Sequence, residues 1–90
     1  MTVECSQIDI TTTPAPLNAA SLAGFNMYIR VMGDDTIYVG NENVTSENGM
    51  ELENDDGVIG FILGPGEILY GVTEEDTGKV CVVITLSGYL

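Results

Sequence analysis

The stretch Phe25-Asn26-Met27-Tyr28-Ile29-Arg30-Val31-Met32 decides the fold class of this chain. Its apolar side chains alternate with polar or amphipathic ones, so the pattern repeats every two residues. An amphipathic helix would repeat its apolar positions about every 3.6 residues, whereas side chains along a strand point alternately to opposite faces. The stretch therefore predicts a half-buried β-strand.

Six further runs on either side of this stretch are rich in β-branched and aromatic residues, and clusters of Gly, Pro, Asn and Asp separate them. They cover residues 4–11, 36–39, 50–52, 58–63, 68–73 and 79–86. We expect 25–32 and 36–39 to pair as a hairpin, and Asn48-Gly49 to form a turn with positive φ. The whole pattern predicts an all-β domain: a small antiparallel β-sandwich or barrel, jelly-roll-like, with about seven short strands.

The run Val80 to Ile84 is apolar at almost every position. Such a strand is covered on both faces, either at the centre of the molecule or at a subunit contact. A chain of 90 residues without internal repeats or a low-complexity linker predicts one domain over residues 1–90. Within it, residues 1–24 are either an extended arm or a first strand followed by a loop.

Charge narrows the classes of partner. Fourteen Asp and Glu residues face only Arg30 and Lys79, there is no histidine, and the formal net charge is −12. The positive mean hydropathy argues against a disordered acidic tail. Two cations cannot neutralise a row of phosphates or an anionic membrane surface, so nucleic acid and membrane are not expected as partners. No apolar stretch of membrane-spanning length and no export signal are recognisable. We expect proteins with basic patches as partners.

The residue types present do not favour catalysis. Without histidine, and with a single lysine, the common nucleophilic mechanisms lack their usual general base, so no enzymatic activity and no cofactor are expected. The acidic stretch 51–57 loosely resembles a calcium loop, but a solvated strand–turn–strand is the favoured interpretation. Cys5 and Cys81 are expected as free thiols rather than a disulfide.

Two groups of residues are candidate partner contacts. The first belongs to the proline-containing N-terminal segment, and the second comprises tyrosines and the apolar C-terminal tip, since amphipathic rings suit protein interfaces. The candidates are Pro14, Pro16, Leu17, Tyr28, Tyr38, Tyr89 and Leu90.

A series of motifs from Ile37 to Leu86 resembles small virion proteins of tailed bacteriophages. The motifs are Ile37-Tyr38-Val39-Gly40, Val44-Thr45, Asn48-Gly49-Met50-Glu51-Leu52, and the stretch from Leu63-Gly64-Pro65-Gly66-Glu67 to Leu69-Tyr70-Gly71-Val72. Their order and spacing carry the resemblance.

The resemblance implies a structural role on the virion. The expected function is that of a capsid decoration or cement protein, or a head-fibre protein. It would be made in the host cytoplasm and bound to the major capsid protein on the capsid surface as a homotrimer. Two alternatives remain open: a tail or fibre component that binds a host receptor or glycan, and an acidic inhibitor that mimics DNA.

Overall fold

The computed structural model describes residues 2–18 and 24–86, and within these ranges the chain forms eight β-strands and one short 3-10 turn. The strands are β1 (Thr2–Ile10), β2 (Ala15–Pro16), β3 (Phe25–Val31), β4 (Ile37–Gly40), β5 (Met50–Leu52), β6 (Val58–Leu63), β7 (Tyr70–Val72) and β8 (Gly78–Leu86). The 3-10 turn, Asn54–Asp56, precedes β6. Over these ranges no helix has the length and apolar character needed to cross a membrane.

The strands form two four-stranded antiparallel sheets. The first sheet has the order β1-β8-β3-β6 and the second has the order β2-β7-β4-β5. Strand β1 pairs with β8, β2 with β7, β3 with β6 and β4 with β5. The chain therefore has the topology of one long antiparallel hairpin that is folded into two layers. The contacts β3–β8 and β4–β7 complete the two sheets. This is the eight-stranded jelly roll, and it confirms the predicted all-β antiparallel class as a sandwich.

The predicted hairpin between residues 25–32 and 36–39 is wrong. The two strands, β3 and β4, lie in different sheets, and the turn at residues 33–35 crosses from one layer to the other. Strand β3 already has β8 on one side and β6 on the other, so neither of its edges is free for β4. The expected strand over 68–73 is shorter, Tyr70–Val72, and β2 is an additional strand at a sheet edge, where a proline costs no ladder hydrogen bond.

The core lies between the two sheets and is filled mainly by inward-facing residues of β1, β3, β4, β5, β6 and β8. Strand β3 buries every second side chain, as its sequence predicted. Three isoleucines and one methionine in this layer, Ile10, Met27, Ile29 and Ile37, are no more than 1% exposed. The remaining buried members of the core are Leu17, Phe25, Val31, Val39, Leu52, Leu63, Val80 and Val82.

Candidate functional site

The outward-facing side of the first sheet carries an exposed apolar patch. Strand pairing places Tyr28 opposite Gly60 and Val83, and Arg30 opposite Val58 and Cys81, so these side chains share one face. Ile62 is 86% exposed, Val58 63%, Met32 42% and Tyr28 40%. We call this surface the first-sheet outer face, and define its apolar part as Tyr28, Met32, Val58, Ile62, Cys81 and Val83. Large apolar groups grouped in this way are typical of an interaction site.

Strand β6 makes the largest contribution because it is apolar on both sides. Its inward residues Ile59 and Phe61 pack against the core, while Val58 and Ile62 point outward into solvent. Strand β8 follows the same pattern, since Val80 and Val82 are buried and the alternate residues Cys81 and Val83 are half-buried on the outer side. The apolar run at 80–84 therefore belongs to a central strand whose second side lies on this patch.

An open cleft of about 370 Å³ lies within the first-sheet outer face. Its lining is apolar except for one charged group, the guanidinium of Arg30. Arg30 forms no ion pair with any carboxylate in the described parts of the chain, and the one ion pair found there joins Lys79 Nζ to Asp9 Oδ1 at 3.6 Å. Within the described part of the chain Arg30 therefore has no ion-pair partner, although the sequence has seven times as many acidic as basic residues.

The outward-facing side of the second sheet is covered by the chain itself. The loop between β4 and β5 folds back over it, and Val44 in this loop is only 2% exposed. A Cβ at Gly40 would lie 3.0 Å from Val44 Cγ2, so the valine packs directly on the backbone of β4. Val72, on the same side as Tyr38, is also buried. Among the described residues, only those of the first sheet present a large apolar face to solvent.

A second, acidic cleft of about 240 Å³ lies at one end of the sandwich, between the turn 34–36 and the loop 73–76. Tyr38 lines it together with five carboxylates. Partial burial, followed by the nearby carboxylates of Glu51, Glu74 and Glu53, raises the pKa of the Tyr38 phenol above its ordinary value. The run Glu74-Glu75-Asp76 connects β7 in one sheet to β8 in the other, so it is an inter-sheet loop.

The stretch 51–57 is a strand end followed by the 3-10 turn. The Asp56 side chain accepts a hydrogen bond from the Glu53 amide at 2.8 Å, and the Asp56 amide donates to the Glu53 carbonyl at 2.9 Å. The Asp56 carboxylate thus helps to close the turn, in agreement with the strand–turn–strand interpretation. Across residues 2–18 and 24–86, no three His, Cys, Asp or Glu side chains are grouped so as to hold a metal ion.

The structure disperses the predicted contact residues. Tyr28 lies on the first-sheet outer face and Tyr38 in the acidic cleft. Pro14 is a half-buried loop residue and Pro16 is exposed on the edge strand β2. Leu17 is 2% exposed and belongs to the core, so its side chain is closed to a partner. Tyr89 and Leu90 lie outside the described residues.

The N-terminal segment and the cysteines can also be placed. Residues 2–10 form β1 and pair with β8 over their whole length. Both thiols are free: Cys5 is exposed and Cys81 is half-buried. They lie on the first-sheet outer face, because Cys5 pairs with Val83 and Cys81 with Gln7.

The exposed residues Val58 and Ile62 were not among the sequence-based candidates. The signal is present in the sequence, because 58–63 is apolar at five of its six positions, and the remaining position is Gly60. A strand that is apolar at both sets of alternate positions has a second apolar side to cover. The same reasoning, applied to 80–84 alone, points to Cys81 and Val83 and to no other member of the patch.

The fold and the patch together define a class: an eight-stranded jelly-roll domain with one open apolar sheet face. No family model, no curated protein and no solved structure matches the chain.

Proposed function

We propose that this chain is a structural protein of a tailed-bacteriophage particle, which binds the outside of the capsid as a homotrimer and stabilises it. The observation that carries the proposal is the exposed apolar side of the first sheet on an otherwise acidic domain. A protein that decorates a shell needs one surface that adheres to neighbours and others that stay in solvent. Exposed Val58 and Ile62 supply the adhering surface, and the carboxylates supply the surfaces that stay in solvent.

The resemblance of residues 37–86 to small virion proteins supports the same proposal. Jelly rolls occur in viral capsid domains, as well as in lectins and cupins, so the fold is compatible with this role by analogy. The motifs of the resemblance fall on β4, on β5 and on the segment from β6 to β7, which belong to both layers of the sandwich.

The small size of the domain gives docking a physical purpose. A chain of this length takes only a modest fraction of its unfolded surface out of water, and its stability margin is correspondingly thin. Binding to a larger assembly stabilises the folded state by mass action, because the unfolded chain does not bind. A decoration protein is stabilised by the shell, which it stabilises in turn.

The test is quantitative mass spectrometry of purified phage particles from the source of this sequence. We expect a copy number equal to that of the major capsid protein or a simple fraction of it. A few tens of copies would place the chain in a tail, neck or fibre, and absence from the particle would contradict the proposal. A matched sample of particles stripped at low ionic strength shows whether loss of this chain lowers the temperature at which the capsid opens.

A second candidate function is the binding of a host glycan by a tail or fibre domain. The acidic cleft favours it, because the ring of Tyr38 lies beside Asp34, Glu74 and other hydrogen-bonding groups. A glycan array with the purified chain tests this candidate, with Tyr38→Ala as the control variant. Binding that disappears in Tyr38→Ala supports it, and an array without hits removes it.

A further inference from the structure

The described charges are divided unevenly over the surface. Arg30 and Lys79, the only cations in the chain, both lie on the first-sheet outer face, where the one described carboxylate is Asp9. The chain has fourteen carboxylates; leaving out Asp9 and Glu4, whose side chain is not described, twelve remain. One of these twelve, Glu51, is on β5 and the other eleven are in the connections between strands. Outside this face, the described surface therefore carries twelve carboxylates and no cation.

This division restricts how two copies of the chain can touch. A contact that leaves out the first-sheet outer face on both copies sets carboxylates against carboxylates, and like charges brought together in an interface are strongly unfavourable. A partner with basic patches would meet the carboxylate-rich surface and would be repelled by Arg30, the cation on this face that is not paired with Asp9. The surface that complements Arg30 is an acidic one, and a second copy of this chain presents such a surface at the described connections between its strands.

We propose that copies of this chain associate through the first-sheet outer face, which docks on a carboxylate-bearing surface of the neighbouring copy. In this contact the side chains of Val58 and Ile62 are buried away from water, and the guanidinium of Arg30 pairs with a carboxylate of the neighbouring copy. The two surfaces differ, so the contact is heterologous and closes into a ring when the rotation between copies allows it, as in a trimer. The inference rests on the proposed function in taking a second copy as the occupant.

Salt gives the association a distinctive signature. Two chains of net charge −12 repel each other as whole molecules, and this repulsion extends about 30 Å at 0.01 M salt but only about 8 Å at 0.15 M. The apolar contact and the Arg30 pair, which are shielded from solvent in the interface, are screened much less. The dissociation constant of the oligomer should therefore be lower at 0.15 M salt than at 0.01 M salt. For an association driven by charge attraction alone, it would be higher at 0.15 M salt.

The experiment is sedimentation equilibrium and native mass spectrometry of the purified full chain at both salt concentrations. Arg30→Gln is compared with Thr77→Asp, an exposed position in the loop before β8, because each change makes the chain more negative by one unit. We expect Arg30→Gln to raise the dissociation constant about tenfold or more, and Thr77→Asp to change it less than about twofold.

A second pair of variants tests the apolar part. Val58→Thr combined with Ile62→Thr keeps β-branched side chains on β6 and removes apolar surface from the face. Met50→Thr removes an apolar side chain that is 51% exposed on the second sheet. The double variant should dissociate while its far-ultraviolet circular dichroism stays unchanged, and Met50→Thr should remain associated.

Two results would overturn the inference: a wild-type chain that stays monomeric at both salt concentrations, or an oligomer that neither Arg30→Gln nor the double variant weakens. Mass spectrometry of purified phage particles distinguishes failure of this inference from failure of the proposed function. A chain abundant on the capsid but monomeric in solution overturns only the inference. An oligomer that depends on Arg30 in a chain absent from the particle overturns only the function.

Discussion

The side chain of Val44 occupies the space that any side chain at Gly49 would need. A Cβ at position 49 would lie 2.7 Å from Val44 Cγ2 and 2.9 Å from Tyr38 Cβ. Positive φ is confined, among the described residues, to Gly57 and Gly66, so the expectation of a left-handed turn at Asn48-Gly49 is wrong. Gly49 is required by packing, since it lets the loop press Val44 onto the second sheet.

Gly49→Ala should therefore destabilise the domain by about 1–3 kcal/mol, the usual cost of overpacking. Urea unfolding followed by circular dichroism measures the change. Gly33→Ala is the matched control, because no atom lies within 4 Å of a Cβ at that position and its φ is not positive. The control should be neutral or slightly stabilising through the unfolded chain. Equal losses in the two variants would show that Val44 does not constrain position 49.

Two isoleucines of the first sheet should differ sharply in their contribution to stability. Ile29 is 1% exposed in the core, whereas Ile62 is 86% exposed on the first-sheet outer face. Ile29→Ala should lower the free energy of unfolding by about 2–5 kcal/mol, and Ile62→Ala by less than about 0.5 kcal/mol. Urea titrations in dilute solution, where copies are separate, measure both. A large loss for Ile62→Ala would mean that its side chain is buried within the single chain.

The strands could be predicted from the sequence, but their partners could not. Alternation with a period of two is a local property, so β3 and β6 were located to within a residue of their ends. Pairing in a jelly roll joins β1 to β8 across almost the whole chain, and local turn residues do not encode which layer the next strand enters. Nearness in sequence therefore suggested a false hairpin, and β2, with two residues, was too short to give any pattern.

The candidate site was predictable only in part, for a related reason. The amphipathic aromatic ring of Tyr28 predicts a contact residue, and Tyr28 does lie on the first-sheet outer face. Val58 and Ile62 resemble core residues by type, and only their alternation with Ile59 and Phe61 shows that they point the other way. The solitary position of Arg30 depends on the three-dimensional distribution of fourteen carboxylates, which the sequence does not give.

The two thiols should remain free under mild oxidation. Cys5 lies opposite Val83 and Cys81 opposite Gln7, so the cysteines are diagonal neighbours on two paired strands. Diagonal Cα atoms are about 7–8 Å apart, whereas a disulfide requires about 4.4–6.8 Å. We expect a thiol reagent to label both cysteines of the native chain, Cys5 faster because it is the more exposed. A monomer that loses two hydrogens in its intact mass after oxidation would contradict this expectation.

Tyr38 should make the stability of the domain fall at alkaline pH. Partial burial and then the carboxylates of Glu51, Glu74 and Glu53 raise the pKa of its phenol above the ordinary 10.0, so the folded state holds this proton more tightly than the unfolded state does. The resulting stabilisation is fully present below pH 10, and is lost as pH rises through the higher folded-state pKa. Tyr38→Phe, which has no phenol to ionise, should lose less stability over the same interval. Ultraviolet titration of tyrosinate in the two proteins gives the Tyr38 component by difference, and a midpoint at or below the ordinary value would contradict the electrostatic account of this cleft.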